Sequence, residues 1–384
     1  MTRQKPRSRV CMMTSSHPVD YSRFYHREAM SLARAGYEVT LIGLTANPAS
    51  DRVPDPGLRL IPVSGKCGLA KRHTVAEIAR LAREQQAVLY HCLDPWTLGI
   101  GLEIARQQPG SKVVYDSTEL FPAVYAERED LFWPVRRALA ARVRRLEAAA
   151  ARQADAIIET NSTRAERFRK MGVEPVLVPN YPEVDVLPEP AIEREPLIAY
   201  TGLLTRHRGF DKLLQAFAIV ASDFPEAGLL VAGSFDPRTG LESWTRSYLD
   251  HARLSHKVRL LGWLPYEEMF RRIRECSAGV ILLQPGRTND YTGQPNKLFE
   301  FMGAGIPVVA SDFPEIAPII RKAGCGWLCD PTDVKAVASA LRTALTDRSE
   351  NRKRGEAGRH AVLARYNWAE SERSLVGLYR RLLG

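Results

Sequence analysis

The sequence predicts an α/β protein built from two doubly wound, Rossmann-like domains that face each other across a cleft. Short runs rich in Val, Ile and Leu alternate with amphipathic stretches along the chain, which is typical of parallel sheets covered by helices. The chain has 384 residues, more than the roughly 250–300 at which a single core usually stops growing. Its composition, 45% hydrophobic and 26% charged, is that of an ordinary globular protein.

The first half contains the pattern of one such domain. A helix is predicted over 22–34, and Gly36 stands where the C-cap of that helix belongs. The strands predicted in this half are 9–14, 37–44, 59–63, 87–92, 112–116, 156–159 and 176–178.

A Pro-rich, acidic stretch then separates the halves, and we expect a linker over 183–196. The alternation starts again after it and ends in a long helical pattern over 368–383. The strands predicted in the second half are 197–201, 227–232, 257–261, 278–283, 306–310 and 326–329. The expected domains are therefore 1–182 and 197–367, each with ligands at the carboxyl ends of its strands.

Several classes of protein are excluded or disfavoured. No apolar run approaches the roughly 18–20 residues of a membrane-spanning helix. The basic start of the chain lacks the apolar core of a signal peptide. We therefore expect a cytosolic protein. No Gly-x-Gly-x-x-Gly follows a predicted strand, which disfavours a dehydrogenase. The lack of an Asp-x-Asp argues against the common metal clamp on a nucleotide diphosphate. Buried free thiols are expected for the cysteines, which have neither Cys-x-x-Cys nor zinc spacing: Cys11, Cys67, Cys92, Cys276, Cys325 and Cys329.

The most specific motif is the run Pro-Asn-Lys-Leu-Phe-Glu at 295–300, which continues to 311. It follows a predicted strand and a polar loop over 284–294, and it opens a helix whose amino end suits a phosphate. Gly293 allows close approach of the backbone, Lys297 can reach the same phosphate, and Glu300 can accept from two ribose hydroxyls. Taken alone, Glu300 is better explained as a solvated helix residue or as a first-turn acid favoured by the helix dipole.

Two further stretches follow predicted strands. In 200–214, Arg208 stands at the mouth of a helix and offers a planar fork of donors to a phosphate. In 261–265, a Gly-Trp-Leu-Pro turn offers backbone polar groups to a base. Taken alone, Arg208 could be an ordinary loop arginine, and the turn at 261–265 could be an ordinary turn at the end of a strand.

Together, these three stretches resemble, in order and spacing, retaining family-four glycosyltransferases of group 1 type, which have the GT-B fold. The segments 17–29 and 113–122 are similar to a subgroup of the same family. The resemblance covers nearly the whole chain, and it implies that the last helix, 368–384, crosses back to the first domain. It also implies that 1–182 binds the acceptor and 197–367 the nucleotide-sugar donor.

The resemblance implies specific roles. Arg208 and Lys297 would neutralise the donor diphosphate, and Glu119 would assist near the sugar; we group these three as catalytic. The donor-binding residues would be Gly202, Arg208, Gly262, Trp263, Leu264, Thr292, Gly293, Gln294, Lys297, Leu298 and Glu300. The acceptor-side residues would be Ser16, His17, Asp20, Arg23 and Thr118. No metal and no cofactor are expected.

The sequence departs from the family's pattern at three positions. Many members carry a glutamate where this chain has Thr292, a histidine where it has Thr118 and an arginine where it has Leu203. The expected function is sugar transfer, with retention, from a nucleoside-diphosphate sugar to a sugar, lipid-linked or small-molecule hydroxyl acceptor. These departures keep two alternatives open: a non-catalytic nucleotide-sugar-binding partner subunit, and a GT-B sugar-nucleotide epimerase.

The positive charge is distributed unevenly. The net charge is +10 over the chain, of which +8 falls within 1–182. Much of it lies in 132–146, an Arg-rich amphipathic pattern that begins with Phe132 and Trp133. Such a helix can lie on an anionic membrane, which would place a lipid-linked acceptor at the inner membrane face; a solvated helix packed on its domain is the alternative. No stacking platform or recognition module points to nucleic acid.

Overall fold

A computed structural model describes residues 7–45, 56–65, 71–128, 131–191 and 193–384. The chain divides into two compact units. The first contains Met1–Asn180 together with Trp368–Gly384, and the second contains Tyr181–Asn367. Residues 183–196, predicted as a linker, are thus part of the second unit. Cys67 lies outside the described residues, and the other five cysteines are free and buried.

The first unit is built on a parallel sheet of seven strands in the order β3-β2-β1-β4-β5-β6-β7. Its strands are β1 Arg9–Pro18, β2 Glu38–Leu44, β3 Leu58–Val63, β4 Leu89–Cys92, β5 Lys112–Ser117, β6 Ala156–Glu159 and β7 Val176–Leu177. Alternate residues of β1 enter different cores: Val10 and Met12 pack on one face, Cys11 and Met13 on the other. Burial on both faces explains why these strands read as continuous apolar runs.

Helices cover both faces of this sheet. The predicted helix over 22–34 consists of a π-helical turn, Arg23–Ala29, followed by α1, and Gly36 after it has a φ of +97°. The α-helices are α1 Met30–Arg34, α2 Lys71–Gln85, α3 Pro95–Gln107, α4 Phe121–Ala126, α5 Trp133–Ala151 and α6 Ser162–Arg169.

The second unit contains a parallel sheet of six strands in the order β10-β9-β8-β11-β12-β13. Its strands are β8 Glu195–Thr201, β9 Gly228–Ala232, β10 Val258–Gly262, β11 Cys276–Ile281, β12 Val308–Ser311 and β13 Gly326–Cys329. Ile198 and Tyr200 enter one core, whereas Leu197 and Ala199 enter the other. Each strand predicted for this unit is present, within two residues at either end.

The helices of the second unit surround that sheet. They are α7 Phe210–Asp223, α8 Leu241–His251, α9 Tyr266–Ile273, α10 Thr288–Tyr291, α11 Asn296–Gly303, α12 Ala317–Ala323, α13 Val334–Thr346 and α14 Arg348–Ala364. Short 3₁₀ turns occupy Val184–Val186 and Arg206–Arg208. The stretch 284–294, predicted as a polar loop, contains the short helix α10.

The last helix, α15 (Trp368–Leu383), belongs to the first unit, although the chain reaches it only after completing the second. Trp368 Nε1 donates to Ser31 Oγ at 2.9 Å, and the Tyr379 hydroxyl lies 2.7 Å from His91 Nδ1. These buried polar contacts fix the helix at both ends. Within the described residues, no helix is both long and apolar enough to cross a bilayer.

Candidate functional site

Each sheet contains a point at which its strand order reverses. In the second unit β8 lies between β9 and β11, and in the first unit β1 lies between β2 and β4. Connections leave such neighbouring strands toward opposite faces, and the crevice at their carboxyl ends is where open α/β sheets bind ligands. The predicted donor residues follow β8, β10 and β11, and the predicted acceptor residues follow β1 and β5.

Three glycines hold the loops after β8, β9 and β10 together. The Gly202 amide donates to the Ala232 carbonyl at 2.9 Å, and the Gly233 amide donates to the Gly262 carbonyl at 2.8 Å. Gly202 and Gly262 adopt φ values of +98° and +70°, where a side chain would be strained. A Cβ on Gly233 would overlap the Gly202 carbonyl. Exposed backbone is thereby presented at this edge of the second sheet.

Arg208 is the last residue of the 3₁₀ turn that follows β8. The next residue, Gly209, has a φ of +70°, and a Cβ there would overlap the Leu282 carbonyl just after β11. This close approach fixes the turn between β8 and β11, at the reversal point. The Arg208 guanidinium lies beside Gly202, where a Cβ would be 3.6 Å from Nη1, and its buried Nε has no hydrogen-bond partner among the described residues.

Lys297 reaches the same strand end from α11. Its ammonium lies 4.3 Å from the centroid of the Tyr200 ring and 3.4 Å from the Thr201 carbonyl oxygen, at the end of β8. Burial, and next the charge of Arg208, lower the pKa of Lys297 to about 7, against the opposing effect of the carboxylates of Glu300 and Asp290. The site thus holds a lysine that gains charge when an anion arrives.

These two cations are not neutralised by the protein itself. In the described part of the chain, neither Arg208 nor Lys297 forms an ion pair with a carboxylate. The amino end of α11, which follows Pro295 without a side-chain cap, adds the positive end of a helix dipole. Two cations and a helix amino end beside exposed glycine backbone can bind a group with at least two negative charges, such as a diphosphate.

Glu300 and Leu298 lie on the same helix but face different surroundings. Glu300 is half-buried, and its Oε1 accepts from the Tyr266 hydroxyl at 3.3 Å. Leu298, predicted to bind the donor, is instead fully buried in the core, and its amide donates to the Pro295 carbonyl. The apolar period of α11 directs that side chain toward the sheet, so Leu298 has neither a side chain nor a free amide to offer a ligand.

The other predicted donor residues flank this arrangement. Trp263, directly after β10, is 69% exposed, and Leu264 beside it is half-buried. The Thr292 hydroxyl donates to the Thr288 carbonyl at 2.8 Å within the last turn of α10. Gln294 Nε2 donates to Glu315 at 2.9 Å, and Gly293 lies between these two residues in the short loop before α11. Thr292 thus caps its own helix, whereas a glutamate there would extend beyond it.

In the first unit, the last residues of β1 form a tight, hydrogen-bonded turn. Thr14 Oγ1 accepts from the amides of Ser16 and His17 at 3.2 Å each. Asp94, the N-cap of α3 after β4, accepts from the Ser16 hydroxyl at 3.3 Å. The carboxyl ends of β1 and β4 are therefore linked directly at the reversal point. Asp20 follows as a half-buried turn residue.

Thr118 and Glu119 follow β5 at the same edge of this sheet. The Thr118 carbonyl accepts from Arg164 at 2.8 Å, while its buried hydroxyl has no partner among the described residues. The Glu119 carbonyl accepts from the Ser117 hydroxyl at 3.4 Å and from the Phe121 amide at 3.0 Å. Glu119 thus has its backbone fixed and its side chain partly exposed.

The acceptor role predicted for Arg23 is not compatible with its position. Arg23 is buried, and its guanidinium lies 2.8 Å from Glu28 and 3.1 Å from Asp116 and donates to the Val178 carbonyl at 3.0 Å. Its donors are used inside the unit because two buried carboxylates require a cation. The arginine therefore stabilises the fold instead of lining the surface.

His91 completes this buried cluster, with Nε2 3.7 Å from Asp116. Burial alone would raise the pKa of Asp116, but the charge of Arg23 and the contact with His91 outweigh it, and the pKa falls to about 2. Burial, and next the neighbouring charge of Asp116, hold the pKa of Glu28 well above its usual range. Glu28, His91 and Asp116 have ligand atoms within 4.8 Å of one another, but Arg23 already supplies the cation there.

Three residues near these edges were not predicted from the sequence. Asp94 could have been found, because an Asp-Pro pair directly after a predicted strand marks a helix N-cap. Tyr200 reads only as an apolar strand residue, and Asp290 lies in a stretch without periodicity. Both act on Lys297, the first through its ring and the second through its charge.

A cavity of about 460 Å³ opens at the opposite edge of the first sheet. It is lined by the starts of β1, β2 and β3 and by the end of α2, including Arg9, Thr40, Arg59 and Gln85. None of the predicted acceptor residues contributes to it.

Solved structures of GT-B glycosyltransferases share the fold of this chain. Sucrose-phosphate synthase from Thermosynechococcus elongatus matches with a TM-score of 0.77 at 20% identity, over 98% of this chain and 99% of that one. Anabaena HepE in complex with UDP matches with a TM-score of 0.74 at 12% identity, over 97% and 100% of the two chains. The predicted fold class, α/β with two Rossmann-like domains, is confirmed.

Two sequence families match, one in each unit. The profile described as "Glycosyl transferase 4-like domain" matches residues 22–181, and that described as "Glycosyl transferases group 1" matches residues 187–361. The fold defines an α/β protein of two Rossmann-like units. The two family matches together span most of the chain, which therefore belongs to the group 1 glycosyltransferases of family four.

Curated relatives agree with this assignment over part of their length. A D-inositol 3-phosphate glycosyltransferase from Corynebacterium urealyticum is 30% identical over 48% of this chain and 43% of its own length. A GDP-mannose-dependent phosphatidylinositol monomannoside mannosyltransferase from Corynebacterium glutamicum is 29% identical over 45% of this chain and 44% of its own length. The chain thus spans less than half the length of these two relatives.

Proposed function

We propose that this protein transfers a sugar from a nucleoside-diphosphate sugar to a hydroxyl acceptor in the assembly of a glycan, polysaccharide or glycolipid. The observation that carries the proposal is the meeting of Arg208 and Lys297 at the end of β8, without neutralising carboxylates. Family membership supplies the reaction type, and the site supplies the group that these cations would hold.

The chemical task assigned to the two cations is to stabilise the leaving diphosphate. Negative charge builds on that group as the bond to the sugar breaks, and positive groups already in place stabilise it at little reorganisation cost. In this proposal Arg208 and Lys297 act electrostatically, Glu300 holds the ribose, and Trp263 and its neighbours frame the base. Transfer proceeds with retention and without a metal bound by an Asp-x-Asp.

The acceptor is assigned to the carboxyl edge of the first sheet. Ser16, His17, Asp20 and Thr118 lie there, and the buried Thr118 hydroxyl has no hydrogen-bond partner among the described residues. Relatives named for phosphatidylinositol-based acceptors support a lipid-linked acceptor as one class, and a sugar or small-molecule hydroxyl is the other. The proposal places the protein in the cytoplasm, at the inner membrane face where the acceptor is a lipid.

A thermal-shift screen against nucleoside diphosphates and their sugars tests the donor assignment first. A ligand present at about 100 times its dissociation constant should stabilise the protein by about 2.7 kcal/mol. Transfer is then measured with the donor identified, comparing wild type with Arg208→Ala and Lys297→Ala. Each variant should lose on the order of 10²–10³ in rate, the loss typical of removing one such donor.

Arg206→Ala is a matched control, because Arg206 lies in the same turn but is exposed and paired with Asp211 at 3.3 Å. It should keep its activity. Wild-type rates for Arg208→Ala would contradict the proposal. Donor binding without transfer to any acceptor would favour a non-catalytic subunit, and conversion of the donor with no acceptor present would favour an epimerase.

A further inference from the structure

Helix α5 presents a basic face that the proposed sugar transfer does not use. Residues Ala140, Val143, Glu147 and Ala151 form its buried side, and they pack toward α3 and α4. The exposed arginines of α5 and its C-cap fall in two groups at helical spacing. Arg142, Arg145 and Arg152 lie opposite the buried side, and Arg137 and Arg144 lie along its flank.

This face has no acidic counterpart on the helix. Glu147, the acid within α5, points inward, where its carboxylate accepts from the Tyr115 hydroxyl at 2.6 Å and pairs with Arg167 at 3.3 Å. In the described part of the chain, none of the five arginines forms an ion pair. The burial pattern thus separates the charges of α5, with the acid inside and the arginines outside.

Large apolar side chains share this exposed region. Phe132 is 71% exposed, Trp133 is 56% exposed and Leu146 is 58% exposed, and Val135 is exposed as well. The Arg137 guanidinium lies 5.8 Å from the centroid of the Trp133 ring. Aromatic side chains at one end and cations along the length are the composition of a helix that lies in a membrane interface.

The direction of α5 relative to the strands determines on which side of the first unit the helix begins. The helix connects β5 to the parallel strand β6, so it runs opposite to them, and Glu147 meets Tyr115 near the carboxyl end of β5. Residues 133–146 therefore form a helix stretch about 20 Å long, at 1.5 Å per residue, that leads from that contact toward the carboxyl side of the sheet. Phe132 and Trp133 thus lie on the side of the first unit to which the acceptor is assigned.

We propose that the outward face of α5 docks on an anionic phospholipid bilayer, with Arg142, Arg145 and Arg152 at the headgroups and Phe132, Val135 and Leu146 in the interface. Complementary charge supplies the attraction, and the exposed apolar side chains favour lipid over nucleic acid, because Val135 and Leu146 offer nothing to a phosphate backbone. The contact itself needs no nucleotide, and it would bring the acceptor edge to the surface that carries a lipid-linked acceptor.

Vesicle co-sedimentation tests this contact. Vesicles of phosphatidylcholine alone are compared with vesicles of phosphatidylcholine and phosphatidylglycerol in equal parts, at about 0.15 M salt and at lower salt. The wild type should bind only the anionic vesicles, more tightly at low salt. One arginine near an anionic surface contributes about fivefold to binding, so the variant Arg142→Gln/Arg145→Gln/Arg152→Gln should bind about a hundredfold more weakly.

The control variant removes the same charge elsewhere. Arg246, Arg271 and Arg272 are at least half exposed in the second unit and pair with neighbouring glutamates. Arg246→Gln/Arg271→Gln/Arg272→Gln should bind vesicles as the wild type does. Equal loss in the two variants, wild-type binding by the α5 variant, or binding to duplex RNA without binding to anionic vesicles would overturn the proposal. The assay contains no nucleotide, so failure here leaves sugar transfer to be judged separately.

Discussion

The depressed pKa of Lys297 predicts that nucleotide binding depends on pH in a defined way. The ordinary lysine pKa of 10.5 falls to about 7 at Lys297, chiefly through burial and next through the charge of Arg208. That difference corresponds to about 5 kcal/mol against holding the charge there. A diphosphate favours the protonated form, so binding above pH 7 must take up a proton.

The size of the effect follows from the titration of this one group. With a pKa of about 7, Lys297 is about half protonated at pH 7, about one-tenth at pH 8 and about one-hundredth at pH 9. Affinity for a nucleoside diphosphate should therefore fall about fivefold between pH 7 and 8 and about tenfold between pH 8 and 9. The terminal phosphate of the ligand titrates near pH 6, so it adds little over this range.

Calorimetric titration with UDP and with GDP, in two buffers of different ionisation enthalpy, measures both the affinity and the protons taken up. At pH 8 we expect uptake of about 0.9 proton per ligand bound. Lys297→Met, which keeps the length but not the charge, should bind weakly with no uptake. Constant wild-type affinity from pH 7 to 9, or uptake that persists in Lys297→Met, would refute the assignment of the proton to Lys297.

Two further predictions concern the scaffold behind the sites. Gly209→Ala should lower the free energy of unfolding by about 1–3 kcal/mol, because its φ is +70° and a Cβ would overlap the Leu282 carbonyl. Urea unfolding measures this loss, and Gly240→Ala is the control, because Gly240 also has a positive φ but has open space around it. Equal losses in the two variants would contradict the role of the overlap. Arg23→Met should lower the free energy of unfolding by about 3–5 kcal/mol, because Glu28 and Asp116 lose their buried cation. A variant that is fully stable but uses its acceptor poorly would instead support the acceptor role expected from the sequence.

The fold could be predicted from the sequence to within a few residues at most strands. Strands buried on both faces produce continuous apolar runs, and turn residues such as Gly36 mark where they are connected. The apolar pattern does not predict which loops contact one another in the folded sheet. The contact between Gly209 and Leu282 and the packing of Gly233 on Gly202 depend on strand order, which a single sequence does not specify.

The candidate site was predictable where a residue's role depends on its place after a strand. Arg208 and Lys297 fall in that class, and the structure brings both to the end of β8. Arg23 and Leu298 do not, because each lies in a predicted functional stretch while its side chain packs inward. Successive residues of a helix point in different directions, some into the core and some toward solvent. A linear sequence motif therefore does not show which of its residues face a ligand and which face the core.

The central claim is that Arg208 and Lys297 hold the diphosphate of a nucleotide donor. It is tested most directly by the dissociation constant of a nucleoside diphosphate for wild type, Arg208→Ala and Arg206→Ala at pH 7. A charge-assisted hydrogen bond contributes about 1.5–3 kcal/mol, so Arg208→Ala should bind roughly ten- to a hundredfold more weakly and Arg206→Ala as tightly as wild type. Equal affinity of all three proteins would contradict the claim.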